Sequence, residues 1–347
     1  MRIVIAGVGV VGASIAFHLA SRGCREVIVI DRAEGPGGGS TAKATGGFRA
    51  QFASEINVRL SLLAREELST FEEMTGVDPG YSQRGYLFAA TNDDDLAELK
   101  RAQALQHACG LYEAQTVTAD EARELNPAIG DERVIGGVFC PTDGFIKPLE
   151  LLRGYIEDAE RLGVSFRYGT EVLPEADVIV NAKGAWAGAP IVPLRRNVAA
   201  TVLTDVLPAE MPMTIWAEDW FHLRVRDGRV LLLWPDDPPV DDELWLREVL
   251  RFTRDRVPAL RDLAIDHTWS GLYEMSPDGH ALLGRDPLHE HHYMAIGSSG
   301  HGVMHAPALG KLLAEIILDG EARSIDARAL RPERFAEGAA IAKSRIL

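Results

Sequence analysis

The run Ile3-Val4-Ile5-Ala6-Gly7-Val8-Gly9-Val10-Val11-Gly12 restricts this chain more than any other stretch. Arg2 to Ala6 is apolar and β-branched, the pattern of a short buried strand. Gly7 permits the tight turn that follows, Gly9 lets backbone approach a pyrophosphate, and Gly12 lets the next helix pack close to the strand. A helix is predicted over Val10 to Ser21, with its first N–H groups aimed at that phosphate. Gly23 ends it, Glu26 to Ile30 reads as the next strand, and Asp31 closes that strand some two dozen residues after Gly7. An acid at about that spacing grips a ribose hydroxyl. Strand, glycine turn, helix, strand and acid together define a dinucleotide-binding unit, which the glycines alone would not. By itself the unit leaves nicotinamide, flavin or tight packing without a ligand open. Asp31 argues against a ribose 2′-phosphate, while Arg32 beside it keeps that choice unsettled.

A second glycine turn, Gly297-Ser298-Ser299-Gly300-His301-Gly302-Val303-Met304, opens the last predicted helix. Its place near the other end implies that the chain returns to the same cofactor, a habit of flavoenzymes. A nicotinamide dehydrogenase would leave this turn unexplained. The absence of a second GxGxxG unit argues against an NAD(P)H-linked disulfide reductase.

The 347 residues are enough for about two domains, and 46% hydrophobic with 25% charged residues is ordinary for a globular protein. The net charge of −15 repels phosphate backbones and anionic lipid, so neither nucleic acid nor a membrane surface is expected as partner. Cys24, Cys109 and Cys140 are odd in number and form no CxxC, which fits a reducing, cytoplasmic setting. No stretch reads as a membrane span.

Helical spacing recurs over about Glu55 to Thr75, Asp93 to Ala108, Pro148 to Gly163 and Asp241 to Arg254. Strands are expected at Gln83 to Ala89, Val164 to Tyr168, Asp177 to Val180 and Asp266 to Met275. From Arg195 to Trp234 the pattern alternates as in β structure, with a hairpin turn at Asp227-Gly228. One nucleotide domain interrupted twice by a second domain accounts for this order. The run His289-Glu290-His291-His292 lacks the separation of metal ligands and reads as an exposed loop, so no metal is expected.

Several further pieces carry a resemblance. They are Ser40-Thr41 through Gly46-Gly47-Phe48-Arg49, Arg84-Gly85-Tyr86-Leu87, Asp143-Gly144, Asn181 to Trp186, and Tyr273-Glu274-Met275-Ser276-Pro277-Asp278-Gly279. With the two glycine turns, they run in order along nearly the whole chain. The chain resembles flavin-dependent oxidoreductases of the D-amino-acid oxidase, glycine oxidase and sarcosine oxidase superfamily. It looks most like sarcosine oxidase β subunits and L-proline dehydrogenase-type subunits.

The resemblance implies α/β plus α+β architecture: a Rossmann-like FAD-binding domain of glutathione-reductase type, interleaved with a substrate domain on a mainly antiparallel sheet. The expected divisions are 1–76, 141–193 and 277–347 for FAD, and 77–140 and 194–276 for substrate. Ser40 and Thr41 would meet the pyrophosphate, and Thr45, Gly46 and Gly47 would pass the isoalloxazine ring. Val172 would flank the adenine, with Ala182, Gly184 and Trp186 nearby; Gly7, Gly9, Val11, Gly12, Asp31 and Arg32 complete that half. Gly300, His301, Gly302, Val303 and Met304 would cover the pyrimidine end, where a helix N-terminus favours the negative charge of reduced flavin.

Arg49 would clamp a substrate carboxylate, its planar fork being suited to that task; a surface arginine is the plainer reading. Tyr273 would stand on the substrate side. His301 either takes part chemically or only packs in its loop, and His222 and Arg224 are weaker expectations on the β-rich insert. The chain departs from its likeness in five places. The segment between Val172 and Asp177 is short, no cysteine stands near Gly271 and no histidine near Lys43 to tether FAD covalently, no lysine stands around Val230 to Trp234, and Met304 replaces another. Non-covalent FAD is therefore expected. The implied reaction is oxidation of an amino acid or secondary amine, glycine-, sarcosine- or proline-like, by hydride transfer to flavin N5, giving an imine. Oxygen or a protein or quinone carrier would accept the electrons. A non-catalytic or electron-relaying FAD-bearing subunit of a larger complex is the alternative, and homo- or hetero-oligomers are both compatible.

Overall fold

A computed structural model describes residues 1–343; the last four residues of the expected 277–347 segment lie outside them. The N-terminal pattern folds as read. Strand Arg2–Ala6 lies between Val178–Asn181 and Glu26–Ile30, parallel to both, and the helix Val10–Ser21 follows it directly. Ser165–Arg167 continues the parallel set on one side and His292–Ile296 on the other, with Leu282–Arg285 antiparallel at the edge of this six-stranded sheet. Parallel strands buried on both faces need near-continuous apolar runs, which Ile3, Val4 and Ile5 supply.

The first helix packs against two others, Pro148–Arg161 and Gly302–Asp319. Contact with the latter is close because Gly310 faces Ser14: a Cβ there would stand 2.1 Å from the serine Oγ. Between Ser165–Arg167 and Val178–Asn181 the chain makes no strand, so the short segment after Val172 spans this gap without a hairpin.

An eight-stranded sheet takes its strands from 86–140 and 192–275. All its neighbours are antiparallel except Met213–Trp216 beside Tyr86–Ala90. The Asp227-Gly228 turn has both residues at positive φ, 52° and 70°, as a two-residue hairpin with this hand of twist requires. Two departures from the sequence reading have local causes. The strand expected from Gln83 to Ala89 is broken at Gly85, whose φ of +84° lets the chain turn against the Phe139 ring. The unassigned stretch after Ala108 holds a strand Gln115–Thr118, a helix Ala119–Leu125 and a strand Gly136–Cys140. Gly137 hides the last of these from a propensity reading, yet a Cβ there would meet the Phe88 carbonyl at 2.1 Å.

A small third sheet joins the two larger ones: Gly47–Phe48 and Ser82–Gln83 both pair with Gly144–Phe145. It sets Arg49 and Asp143 side by side at the seam.

Candidate functional site

A cavity of about 480 Å³ opens at the carboxyl ends of the parallel strands. One wall is the first glycine turn, where Gly7, Gly9 and Val11 line the space. Gly7 sits at φ +115° with the Ala182 carbonyl 2.3 Å from where a Cβ would be, so no side chain fits. At Gly9 a Cβ would meet only Thr41 Oγ1, at 3.5 Å, which leaves the backbone open to a ligand. Gly12 lies behind the wall and serves packing, since its Cβ would collide with the Gly7 carbonyl. The N–H groups of Val11 and Gly12, in the first turn of the helix, have no carbonyl one turn back. They form an anion seat.

Asp31 lines the cavity with both carboxylate oxygens braced, Oδ2 accepting from Val8 N–H at 2.7 Å and Oδ1 from Ala33 N–H at 2.8 Å. A carboxylate oxygen can accept more than one hydrogen bond, so a sugar hydroxyl still finds an acceptor there. Arg32 lies 4.4 Å over the Trp186 ring, and both line the same end with Ala182 and Gly184. Thr41 and Ser40 line the floor: Thr41 Oγ1 accepts from Val10 N–H at 3.2 Å, and Ser40 Oγ donates to the Leu272 carbonyl at 2.6 Å.

The opposite wall is the second glycine turn. Gly300, Gly302 and Val303 line it, with the Tyr273 ring packed against Gly300. Tyr273 is 39% exposed, and it lines the cavity. Glu274 was part of a motif but had been given no role. Its carboxyl lines this wall between Gly184 and Gly302, accepts from Gly297 N–H at 3.0 Å, and is pushed above the usual carboxylate range by burial.

Other expected residues stand elsewhere. Val172 is 79% exposed and outside the lining, which Thr170, Glu171 and Leu173 form instead; without a hairpin to fold it inward, its side chain turns to solvent. Met304 points into the core, one residue beyond the lining Val303. His301 caps the helix with its ring edge-on to Phe52, centroids 4.9 Å apart. Thr45, Gly46 and Gly47 lie past the lining, which ends at Lys43 and Ala44. They border the seam instead: the Thr45 carbonyl accepts from Arg224 Nη1 at 2.7 Å, and Gly47 leaves room for the Tyr86 hydroxyl.

Arg49 is not a surface arginine. It is 7% exposed, with its guanidinium 3.9 Å over the Phe52 ring and Nη2 3.5 Å from His301 Nε2, one residue from the cavity wall. Burial lowers its pKa to about 10, which leaves it cationic at neutral pH, with Tyr86, Asp143 and Tyr273 in its field. Asp143 is wholly buried and accepts from Ala50 N–H at 2.7 Å and Gln51 Nε2 at 3.0 Å; burial nevertheless raises its pKa to about 6. His222 donates Nδ1–H to the Trp220 carbonyl at 2.7 Å, and burial drops its pKa to about 4, so the ring is neutral. Arg224 shares that strand face and stacks 3.6 Å over Phe145.

The cavity fits an extended dinucleotide: a sugar acceptor and aromatic face at one end, helix N–H groups in the middle, and a second helix N-terminus at the other. These features define a flavin-binding oxidoreductase site, and the chain belongs to the DAO family of FAD-dependent oxidoreductases, whose model matches residues 2–316. It is similar to an L-proline dehydrogenase from P. horikoshii, with a TM-score of 0.90 and 30% identity over 98% of this chain and 99% of that one. It is 28% identical to dimethylglycine dehydrogenase of Rattus norvegicus over 96% of this chain, but spans only 44% of that enzyme. Glycine oxidase of Geobacillus kaustophilus is 26% identical over 91% of this chain and 92% of its own length. Among the described residues no helix is long and apolar enough to cross a membrane.

Proposed function

We propose that this chain oxidises a small amino acid or N-alkyl amino acid, glycine-, sarcosine- or proline-like, at its Cα–N bond. The observation that supports this most is Arg49, a buried cation backed by Phe52 and set against His301, whose neighbours Gly300 and Gly302 line the cavity. The matched relatives are named for proline, dimethylglycine and glycine, each of which carries a carboxylate beside its amine. FAD, when bound, would supply a two-electron acceptor for the hydride that leaves the substrate C–H beside the amine nitrogen.

The chain's residues have separable tasks. Arg49 neutralises and orients the carboxylate with its two-pronged fork. Neutral His222 leaves Nε2 as an acceptor near that cation and adds no second positive charge. Tyr273 walls the substrate against Gly300. The reaction draws its rate mainly from this orientation, since the redox chemistry belongs to the cofactor. The imine formed hydrolyses in water, and oxygen or a protein or quinone carrier then accepts the electrons.

Anaerobic addition of glycine, sarcosine, dimethylglycine and proline to the FAD-loaded protein tests this reading, with visible absorbance as readout. Bleaching by one of them is expected, and Arg49→Lys should raise the concentration for half-bleaching about tenfold to a hundredfold, the worth of a charge-assisted pair. Flavin bands that persist with every carboxylate-bearing amine would sink the substrate class and favour an electron-relaying subunit.

A further inference from the structure

The edge strand Leu282–Arg285 and its neighbour His292–Ile296 are joined through Asp286 to His291, and this hairpin treats its histidines unequally. His291 sits at φ 59° with its ring turned to solvent beside Glu290. His289 and His292 instead stack, with ring centroids 5.2 Å apart and planes inclined by 28°. Asp286, outside the histidine run, completes the group: its carboxylate is 2.9 Å from His289 Nδ1. One donor atom from each of the three lies within 4.8 Å of the others.

The loop holds this grouping through its backbone. Asp286 N–H donates to the His292 carbonyl at 2.9 Å, His292 N–H donates to the His289 carbonyl at 3.3 Å, and Asp286 Oδ1 accepts from Leu288 N–H at 2.8 Å. The D-x-x-H-x-x-H spacing therefore closes on itself across a turn.

We infer that Asp286, His289 and His292 form a surface site for a borderline divalent cation such as zinc, nickel or copper(II). Tetrahedral bonds of 2.0–2.1 Å place ligand atoms roughly 3.4 Å apart. Closing from the observed spread takes about 1 Å of side-chain movement by that geometry, which exposed His289 can supply. Two imidazoles and one carboxylate suit these metals, whereas magnesium and calcium prefer all-oxygen shells. Water fills the remaining positions. Protons and the metal compete for the same ring nitrogens, so binding weakens as pH falls. It clips the hairpin whose second strand leads into the Gly297 to Gly302 wall, and so raises the unfolding temperature by mass action.

The test is isothermal titration of zinc chloride into the untagged, FAD-loaded protein. One equivalent per chain is expected, with binding about tenfold or more weaker in His289→Ala and in His292→Ala, since even outer-shell changes cost that much. His291→Ala and His267→Ala should bind as the parent does, and magnesium chloride should give no heat of binding. Flavin absorbance and the metal-free unfolding temperature of each variant show that it is folded. The site is overturned if the parent takes up no zinc, if His289→Ala binds equally well, or if His291→Ala weakens binding as much.

Discussion

The cofactor cavity and the Arg49 seam are neighbours built from different materials. The cavity's first wall is built from backbone: Gly7 without room for a side chain, helix N–H groups, and hydroxyls already tied to the main chain. The seam is mostly buried ionisable side chains, with Arg49, Asp143, Tyr86, His222 and Arg224 in one another's field. Backbone recognition is set by steric exclusion and hardly responds to pH. Side-chain recognition in a dry seam is set by charge, and each group's state depends on the others. The first should fail abruptly on adding one carbon, the second gradually with protonation.

The largest effect should come from the first glycine turn. Gly7→Ala forces a Cβ to within 2.3 Å of the Ala182 carbonyl at a φ of +115°. Strain and overlap together cost roughly 3 kcal/mol or more, so the variant should be isolated without flavin or not at all. Gly9→Ala meets only Thr41 Oγ1, at 3.5 Å, and should fold normally while binding FAD more weakly. Flavin content and unfolding temperature measure both. Equal damage from the two would mean that the turn acts through packing alone, and the contrast with the seam would break.

Asp143→Asn comes next. The carboxylate accepts from Ala50 and Gln51, and an amide in its place would turn N–H against N–H on one side or lose one bond. It would also take a buried negative charge out of the field of Arg49. Removing one partner of such a group costs roughly 2–4 kcal/mol. The half-bleaching concentration for substrate should rise about tenfold, while FAD affinity stays near that of the parent. A loss of FAD affinity with no change in substrate response would place Asp143 on the wrong side of the comparison.

Acid should expose the seam as well. His222 and His305 are held neutral by burial, with pKa lowered to about 4 and about 3, and burial lowers His280 too. The unfolded chain takes up these protons from about pH 6.5 downward, so their contribution is complete above that pH and is lost as pH falls towards 4. Asp143 works oppositely: raised to about 6, it favours the folded state as pH falls from 6 to 4. Glu274, also raised by burial, acts in the same sense as Asp143; three histidines still outweigh two carboxyls, and each net proton costs about 1.4 kcal/mol per pH unit. The unfolding temperature should therefore fall steadily below pH 6.5, and His305→Gln should flatten that slope. A flat profile from pH 7 to 5 would show that these rings are not held neutral.

The division in materials also explains what was legible in the sequence. Gly7, Gly9, Asp31, Ser40, Thr41, Gly184 and Trp186 line the cavity, and each belongs to a motif whose spacing is fixed by backbone geometry. Val172 stands exposed outside the lining, on a segment that forms no strand. Asp143 and Tyr86 were visible inside motifs, but their roles were not, because burial and mutual charge arise only when the third sheet closes the seam. Glu274 was hidden in the same way on the last long strand. The only signal for such groups is a charged residue in an otherwise apolar or turn motif. The strand break at Gly85 and the glycine-rich strand Gly136–Cys140 were masked because glycine there serves close approach to neighbouring chain, which propensity cannot see.

The smallest effect belongs far from both regions and calibrates the rest. Thr118 caps the helix Ala119–Leu125 through a reciprocal pair: its Oγ1 accepts from Glu121 N–H at 3.2 Å, and Glu121 Oε2 accepts from Thr118 N–H at 2.7 Å. Thr118 donates to that carboxylate twice, from its N–H and from its Oγ1 hydroxyl at 2.9 Å, and the two bonds hold the Glu121 carboxyl below its usual range although it lies on the surface. Thr118→Ala removes both bonds of the hydroxyl and keeps the backbone one to Glu121, costing about 1 kcal/mol, or about 2 °C in unfolding temperature for a chain of this size. Because this helix packs on the outer end of the eight-stranded sheet, neither FAD affinity nor substrate bleaching should change. If bleaching does change, the two sheets move together more than the seam implies. The effects of Asp143→Asn could then no longer be assigned to charge alone.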